Sequence, residues 1–389
     1  MSPRIEIGGL HLDTALTAAV IALLAIGAVM VGSASISLAD RDMGEPLYFL
    51  VRHAGAILLG CAAGLAVLMI PMSVWFRLNA LIVLAAFLLL VSVEIPGLGR
   101  TVNGSARWLA LGPLTLQPSE PARLCLVLYL ASYVVRHQKD MARSLLGFVK
   151  PLVVITAACA LLLGEPDFGA AVVLTATSFG LLFIGGARLR DLGLALVLAT
   201  SGLASLAFTT PYRLQRLLGF VDPWADPYAS GFQLTQSLIA IGRGEWLGVG
   251  LGDSVQKLFY LPEAHTDFVF AVLAEELGLV GATLVICLFG VVVFKAIMLG
   301  PRAAAVGLPY QGLVSSGIGL MLGLQAFINI GVNMGLLPTK GLTLPLISYG
   351  RTSAVVTVVA LALLMRAHHE VKEAERRARA KSGKKGRDA

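Results

Sequence analysis

Ten apolar stretches, most of them close to the length of a bilayer crossing, decide what this 389-residue chain can fold into. They cover residues 14–31, 54–70, 78–93, 122–135, 152–163, 169–185, 192–208, 268–299, 312–332 and 345–364. A membrane-spanning helix needs roughly 20 mostly apolar residues. Composition agrees, with 57% hydrophobic and only 14% charged residues, against about 25% charged in a soluble domain. The expectation is an all-α integral membrane protein of about ten transmembrane helices, with a large extracytoplasmic loop between helices 7 and 8. The fifth run is short, and Gly164-Glu-Pro-Asp-Phe-Gly169 leaves almost no room for a loop, so the fifth and sixth runs predict a tight helical hairpin. The first run lacks a strongly basic flank and a clear small-residue cleavage site, and is expected to remain as a helix.

Basic residues orient the bundle. With the N-terminus inside, nineteen of the thirty Lys and Arg residues fall on cytoplasmic segments, nine of them between Arg366 and Arg387. The positive-inside rule then makes both termini cytoplasmic. Residues 1–366 form the transmembrane domain, 209–267 its large external loop, and 367–389 a basic cytoplasmic tail. The tail reads as a stop-transfer and solvated helix end, or as a surface for anionic lipid or a partner, where each cation adds about 1 kcal/mol. The net charge of +7 follows this topology, and no nucleic-acid partner is expected. Cys61, Cys125, Cys159 and Cys287 lie inside apolar runs without paired spacing and read as packing residues. No metal-ligand cluster, P-loop, dinucleotide fingerprint or nucleophile elbow is present in the sequence.

Function should therefore concentrate in the external segments 33–52, 94–120, the Glu165-Pro-Asp turn and 209–267. The last ends in Leu261-Pro-Glu-Ala-His-Thr-Asp267-Phe268, which runs directly into an apolar helix. An ionisable group in hydrocarbon costs about 2.5–3.5 kcal/mol on insertion scales, so Asp267 and His265 at a helix mouth are functional candidates. Asp267 has two readings: a helix N-cap, which holds the carboxylate ionised, or a general base sharpened by partial burial. Arg213 and Arg216 share one helical face and read as a diphosphate clamp or as interface anchors. The stretch 237–252 mixes apolar residues with five glycines, which predicts a re-entrant or interfacial element, or simply turns. Ser119-Glu-Pro is a helix start, and Glu120 and Arg123 are spaced to form an ion pair. Arg107-Trp108 is an interface anchor or a phosphate ligand.

These residues resemble one family. Ala106-Arg-Trp-Leu109, Gln117-Pro-Ser-Glu120, Glu165-Pro-Asp-Phe-Gly169, Pro262-Glu-Ala-His-Thr-Asp-Phe268, Glu275-Glu-Leu-Gly278 and Leu344-Pro-Leu-Ile-Ser-Tyr-Gly350 stand in the order found in the SEDS (shape, elongation, division and sporulation) proteins. The run Gly335-Leu-Leu-Pro-Thr-Lys-Gly-Leu-Thr-Leu-Pro345 is closer to the division-type members than to the elongation-type ones. Two positions depart from the pattern. Arg123 replaces the usual Lys, exchanging a compact ammonium for a planar guanidinium, and Arg351 follows Gly350 where the family commonly has a second glycine.

The resemblance implies a peptidoglycan glycosyltransferase that polymerises lipid II at the division septum, in the bacterial inner membrane, with its active face extracytoplasmic. A disaccharide-peptide would move from an undecaprenyl diphosphate donor to the 4-hydroxyl of an acceptor sugar with inversion. That requires a base, charge stabilisation for the departing diphosphate, and grooves for polyprenyl tails. The resemblance makes Asp267 the base, with Arg107, Arg213, Arg216 and Arg123 candidates for the diphosphate, and Glu120, His265, Lys340 and Ser348 completing the substrate-binding set. A divalent cation such as Mg2+ could share the diphosphate, although no carboxylate cluster demands one. The implied partners are a single-span class B penicillin-binding transpeptidase, other division proteins and membrane lipids.

The rival reading is a flippase or transporter of the same lipid. Broken apolar segments at 164–169 and 335–350 fit discontinuous helices, with Asp167 as a proton-coupling acid. Against it, the ionisable residues gather on one face and no internal repeat is visible. A division scaffold is a third reading, and it leaves the acid and the arginines unexplained.

Overall fold

The computed structural model describes residues 5–7, 10–95, 97–102, 105–111, 114–209, 219–338 and 341–385. Helices dominate: α1 Thr14–Met43, α2 Tyr48–Met69, α3 Met72–Arg77, α4 Asn79–Glu94, α5 Ser119–Arg143, α6 Leu145–Gly164, α7 Phe168–Ile184, α8 Leu189–Thr209, α9 Phe232–Gly244, α10 Val269–Ala305, α11 Pro309–Asn333 and α12 Arg351–Lys385. Six of them, α1, α2, α6, α10, α11 and α12, are long and apolar enough to cross a membrane. The predicted runs 78–93 and 169–185 lie on the shorter apolar helices α4 and α7, and 122–135 and 192–208 on α5 and α8.

The ends obey local chemistry. Asp13 caps α1 by accepting from the Leu16 amide at 3.0 Å, and Gly44 closes that helix with φ 68°. A left-handed residue there costs little without a Cβ. The tight α6–α7 hairpin forms as expected, with residues 165–167 as its turn.

The centre of the bundle is the α11–α12 pair. Their most apolar windows are 67% and 72% buried, against 28 to 39% for α1, α2, α6 and α10, whose remaining faces are apolar and open. Small residues set the approach. A Cβ on Gly319 or Gly323 of α11 would lie 2.6 or 2.8 Å from Ala296 or Val293 of α10, and one on Gly317 would lie 2.7 Å from Val127 of α5. Such contacts let helices meet closely where hydrophobicity alone gives no drive to associate.

Three sequence expectations are corrected. The chain is not wholly α: the segment 94–120 contains an antiparallel sheet of β3 Gly99–Val102, β4 Ser105–Leu111 and β5 Leu114–Leu116, in the order β3-β4-β5. A second hairpin, β1 Ile5–Ile7 with β2 Leu10–Leu12, precedes α1. Strands this short carry too little alternation to stand out beside long helical runs. The run 345–364 is helical only from Arg351, because Pro345 supplies no amide, Leu346 sits at φ 65°, and the Leu344 amide is taken by the Ser348 hydroxyl at 2.8 Å. Finally, the apolar run 268–299 holds a break at Gly278, where φ is 66°.

That break is filled by the segment 245–250. The Val249 and Gly250 amides donate to the Glu275 and Glu276 carbonyls at 3.0 and 3.2 Å, and the Leu279 and Val280 amides donate to the Glu245 and Trp246 carbonyls at 2.9 and 3.2 Å. The glycines of 237–252 therefore serve close backbone approach. A Cβ on Gly244 would stand 1.9 Å from the Ala274 carbonyl oxygen and one on Gly248 2.1 Å from that of Glu276. At the far end of the chain α12 passes residue 366 without interruption, and its buried His368, His369 and Val371 lie where the first hairpin packs, the His11 amide donating to His369 Nδ1 at 3.0 Å.

Candidate active site

Asp267 stands half-buried at the mouth of α10. The cap position of that helix belongs to Phe268, with no side-chain cap bond. The Ala271 amide is instead taken by Asn333 Oδ1 at 3.1 Å. The Asp267 carbonyl accepts from Asn329 Nδ2 at 2.8 Å and from Asn333 Nδ2 at 3.0 Å. Its carboxylate lies against Gly341, where a Cβ would come within 3.1 Å of Oδ2.

The non-helical strap 341–350 forms the other wall. Asn329 Nδ2 also donates to the Leu342 carbonyl at 2.6 Å, and Gln325 Nε2 to the Thr343 carbonyl at 3.0 Å. Tyr349 donates its amide to the His265 carbonyl at 2.9 Å. The strap can lie this deep because α1 and α7 present glycines: a Cβ on Gly27 would fall 2.0 Å from the Leu346 carbonyl oxygen and one on Gly169 2.8 Å from Leu342 Cγ. Buried irregular backbone at membrane depth needs such internal partners.

The sequence motifs meet around it. Asp167 caps α7 by accepting from the Ala170 amide at 3.0 Å, and its other oxygen accepts from Ser119 at 3.1 Å and Gln117 at 3.4 Å. The Gln117 amide donates to Thr352 Oγ1 at 3.0 Å. Arg351 reaches Thr115 Oγ1 at 2.6 Å, which gives the unexpected arginine a place on the sheet. Arg107, on β4, donates to the Glu165 carbonyl at 3.0 Å and to that of Pro166. Glu120 and Arg123 form the expected ion pair at 2.6 Å, both side chains under 10% exposed. Arg123 Nε and Nη1 have no hydrogen-bond partner among the described residues.

His265 lies against Phe49 and Tyr349, ring centroids 5.0 and 5.7 Å away, and burial lowers its basicity. Ser348 is buried and its hydroxyl closes the turn of the strap. Arg213, Arg216 and Lys340 lie outside the described residues. Glu165 is 2% exposed and neither carboxylate oxygen has a partner among the described residues. Burial first, then the Asp167 and Glu94 carboxylates, push it up to about 8, against the pull of Arg107. Among the described residues no three His, Cys, Asp or Glu side chains are grouped to hold a metal ion.

Two sets of residues were given no role by the sequence reading, although Glu275 and Glu276 stand in one of its motifs. Glu275 accepts from Arg243 at 2.9 Å, from Ser254, and from the Val255 amide at 3.2 Å, while Glu276 accepts from Lys257 at 2.8 Å and Ser33 at 2.7 Å. These two buried acids fasten the loop to α10 and α1. The second set is Gln325, Asn329 and Asn333, whose i, i+4, i+8 spacing puts three amides on one face of an apolar helix. That polar stripe was the available signal.

The model of the FtsW, RodA and SpoVE cell cycle proteins matches residues 14–373. The chain belongs to this family. Among relatives of this FtsW/RodA/SpoVE member, the probable peptidoglycan glycosyltransferase FtsW of Thioalkalivibrio sulfidiphilus is 54% identical over 363 residues, covering 93% of this chain and 91% of that protein. Its counterpart in Nitrosococcus halophilus is 53% identical over 360 residues, with 92% and 93% covered. Among solved structures, a peptidoglycan synthase complex that coordinates polymerization and crosslinking gives a TM-score of 0.76 at 30% identity, over 92% of this chain and 98% of that one. The rod shape determining protein RodA of Thermus thermophilus gives 0.68 at 29%, over 92% and 96%.

Proposed function

We propose that this chain is a peptidoglycan glycosyltransferase that polymerises lipid II at the division septum, with Asp267 as general base. Asp267 would take the proton of the acceptor 4-hydroxyl as that oxygen attacks the anomeric carbon of the donor sugar. The bond to the undecaprenyl diphosphate breaks on the opposite face, which inverts the centre, and the leaving group departs with its negative charge. In this reading Arg123, with Nε and Nη1 buried and without a hydrogen-bond partner among the described residues, and Arg107, on β4, would neutralise that charge. Arg213, Arg216 and Lys340 extend the cationic set, and Glu120, His265 and Ser348 shape the wall.

The observation that carries this reading is the placement of Asp267, half-buried one residue before the cap of α10 with its carboxylate against Gly341. The first turn of α10 is served by Asn333 through the Ala271 amide. Ten spans, cytoplasmic termini and an external loop over 209–267 put that carboxylate at the outer surface of the inner membrane, where soluble sugars meet lipid tails. A single-span class B penicillin-binding transpeptidase and other division proteins are the partners this reading calls for.

The transporter reading is weakened because Asp167, its coupling acid, caps α7 and holds Ser119. Proteoliposomes loaded with purified lipid II separate the two. The wild type should polymerise, whereas Asp267→Asn and Asp267→Ala insert and fold but lose activity by about 10²–10⁴-fold, the usual contribution of a general base. Full polymerisation by either variant ends the base assignment, and translocation by the wild type without polymer favours the transporter.

A further inference from the structure

We infer that Asn329 and Asn333 of α11 are positioning residues for this reaction, acting through Asp267; the inference rests on the reading of Asp267 as base. Both are buried, 2% and 0% exposed, one turn apart on the same face. Two side-chain amides from one rigid helix converge on a single backbone carbonyl, that of Asp267, at 2.8 and 3.0 Å. One donor would satisfy that oxygen, and two from fixed directions also set the orientation of its peptide plane.

The pair does more than hold one residue. Asn329 Nδ2 bridges the Asp267 carbonyl to that of Leu342, one residue beyond Gly341. The chain segment carrying the carboxylate and the strap forming its opposite wall are thereby tied through one nitrogen atom. The width of the opening between them is set at that point. Asn333 donates in turn to the Asn329 carbonyl at 2.9 Å, and its Oδ1 takes the Ala271 amide. That last bond serves the first turn of α10, just beyond the cap residue Phe268.

A purely structural clamp would use the whole amide. Asn329 Oδ1 is buried and has no hydrogen-bond partner among the described residues. A buried acceptor left unmatched is unfavourable, so the residue is kept for its N–H groups, both aimed at carbonyls beside the carboxylate. Removing them leaves the packing nearly intact and frees Asp267 to shift. Displacements of about 1 Å in a reacting group can cost about 100-fold in rate.

The test uses the full chain in proteoliposomes with purified lipid II, comparing Asn329→Leu, Asn329→Asp and Asn329→Gln beside Asp267→Asn. The Leu and Asp variants, which lack the donor, should lower kcat by about 100-fold with KM within about twofold. The Gln variant, which keeps the donor, should stay within about tenfold of wild type. Asn329→Asp, equal in size to Asn, gives the answer should the Leu variant not fold. Wild-type kcat in both donorless variants, a loss carried wholly by KM, or a Gln variant as slow as the Leu one overturns the inference. Full activity in Asp267→Asn overturns the base reading and this inference with it. Inactive Asp267→Asn beside fully active donorless variants overturns the inference alone.

Discussion

Asp167-Phe168 and Asp267-Phe268 present the same local signal, an acid directly before an aromatic residue at the start of an apolar helix, and they come to opposite ends. Asp167 is 4% exposed, and its two oxygens are taken by the Ala170 amide, Ser119 and Gln117. Asp267 is half-buried and stands one residue before the cap position, Phe268, with its carboxylate against Gly341. Local sequence makes both of them helix-starting acids. Asn333, 66 positions away in the chain, holds the Asp267 carbonyl in that place.

The comparison breaks most visibly in activity. Asp267→Asn should abolish polymerisation with little change in melting temperature, while Asp167→Asn should keep most activity; equal loss in both would remove the contrast. Next in size is Gly341→Ala. Its backbone tolerates a Cβ, but that atom would press on Asp267 Oδ2 at 3.1 Å, so kcat should fall about tenfold with an unchanged fold. An unaltered rate would show that the carboxylate does not need this wall. Asp167→Ala should act on stability: loss of a cap costs about 1 kcal/mol, or roughly 2–4 °C, read by thermal unfolding in detergent.

The smallest effect concerns Glu165, the neighbour of the capping acid. Its carboxyl is raised from 4.5 to about 8 in the folded chain. Between those values the folded state holds a proton that the unfolded state has released, so stability is greatest below the lower value and declines as pH climbs through the upper one. Melting temperature of the wild type should drop between about pH 4.5 and 8, while Glu165→Gln, which cannot ionise, stays level. Parallel curves for the two proteins would place the carboxyl in an environment without penalty.

Much of this was legible from apolar runs and punctuation. The α6–α7 hairpin followed from Gly164 to Gly169, and the Glu120–Arg123 pair from spacing alone. The short strands around Arg107 were not legible, since three to seven residues give period-2 alternation little to work on. The end of the strap, from Pro345, was counted into a span because Pro345-Leu-Ile is as apolar as any other, although the rival reading had already marked 335–350 as broken. Around Asp267 the acid itself was conspicuous. The asparagines that hold it were not, because their meaning lies in contacts across more than sixty residues.

Helix α12 is 35 residues long, or roughly 50 Å at about 1.5 Å per residue, with no proline or glycine between Arg351 and Ser382. One tip holds Thr115 and Gln117 beneath the sheet, and the other is gripped by Arg302 on Glu375 at 2.9 and 3.0 Å. Such a rod transmits axial load. A tug on its basic end would be carried, over some ten helical turns, to the strap 341–350 that walls Asp267.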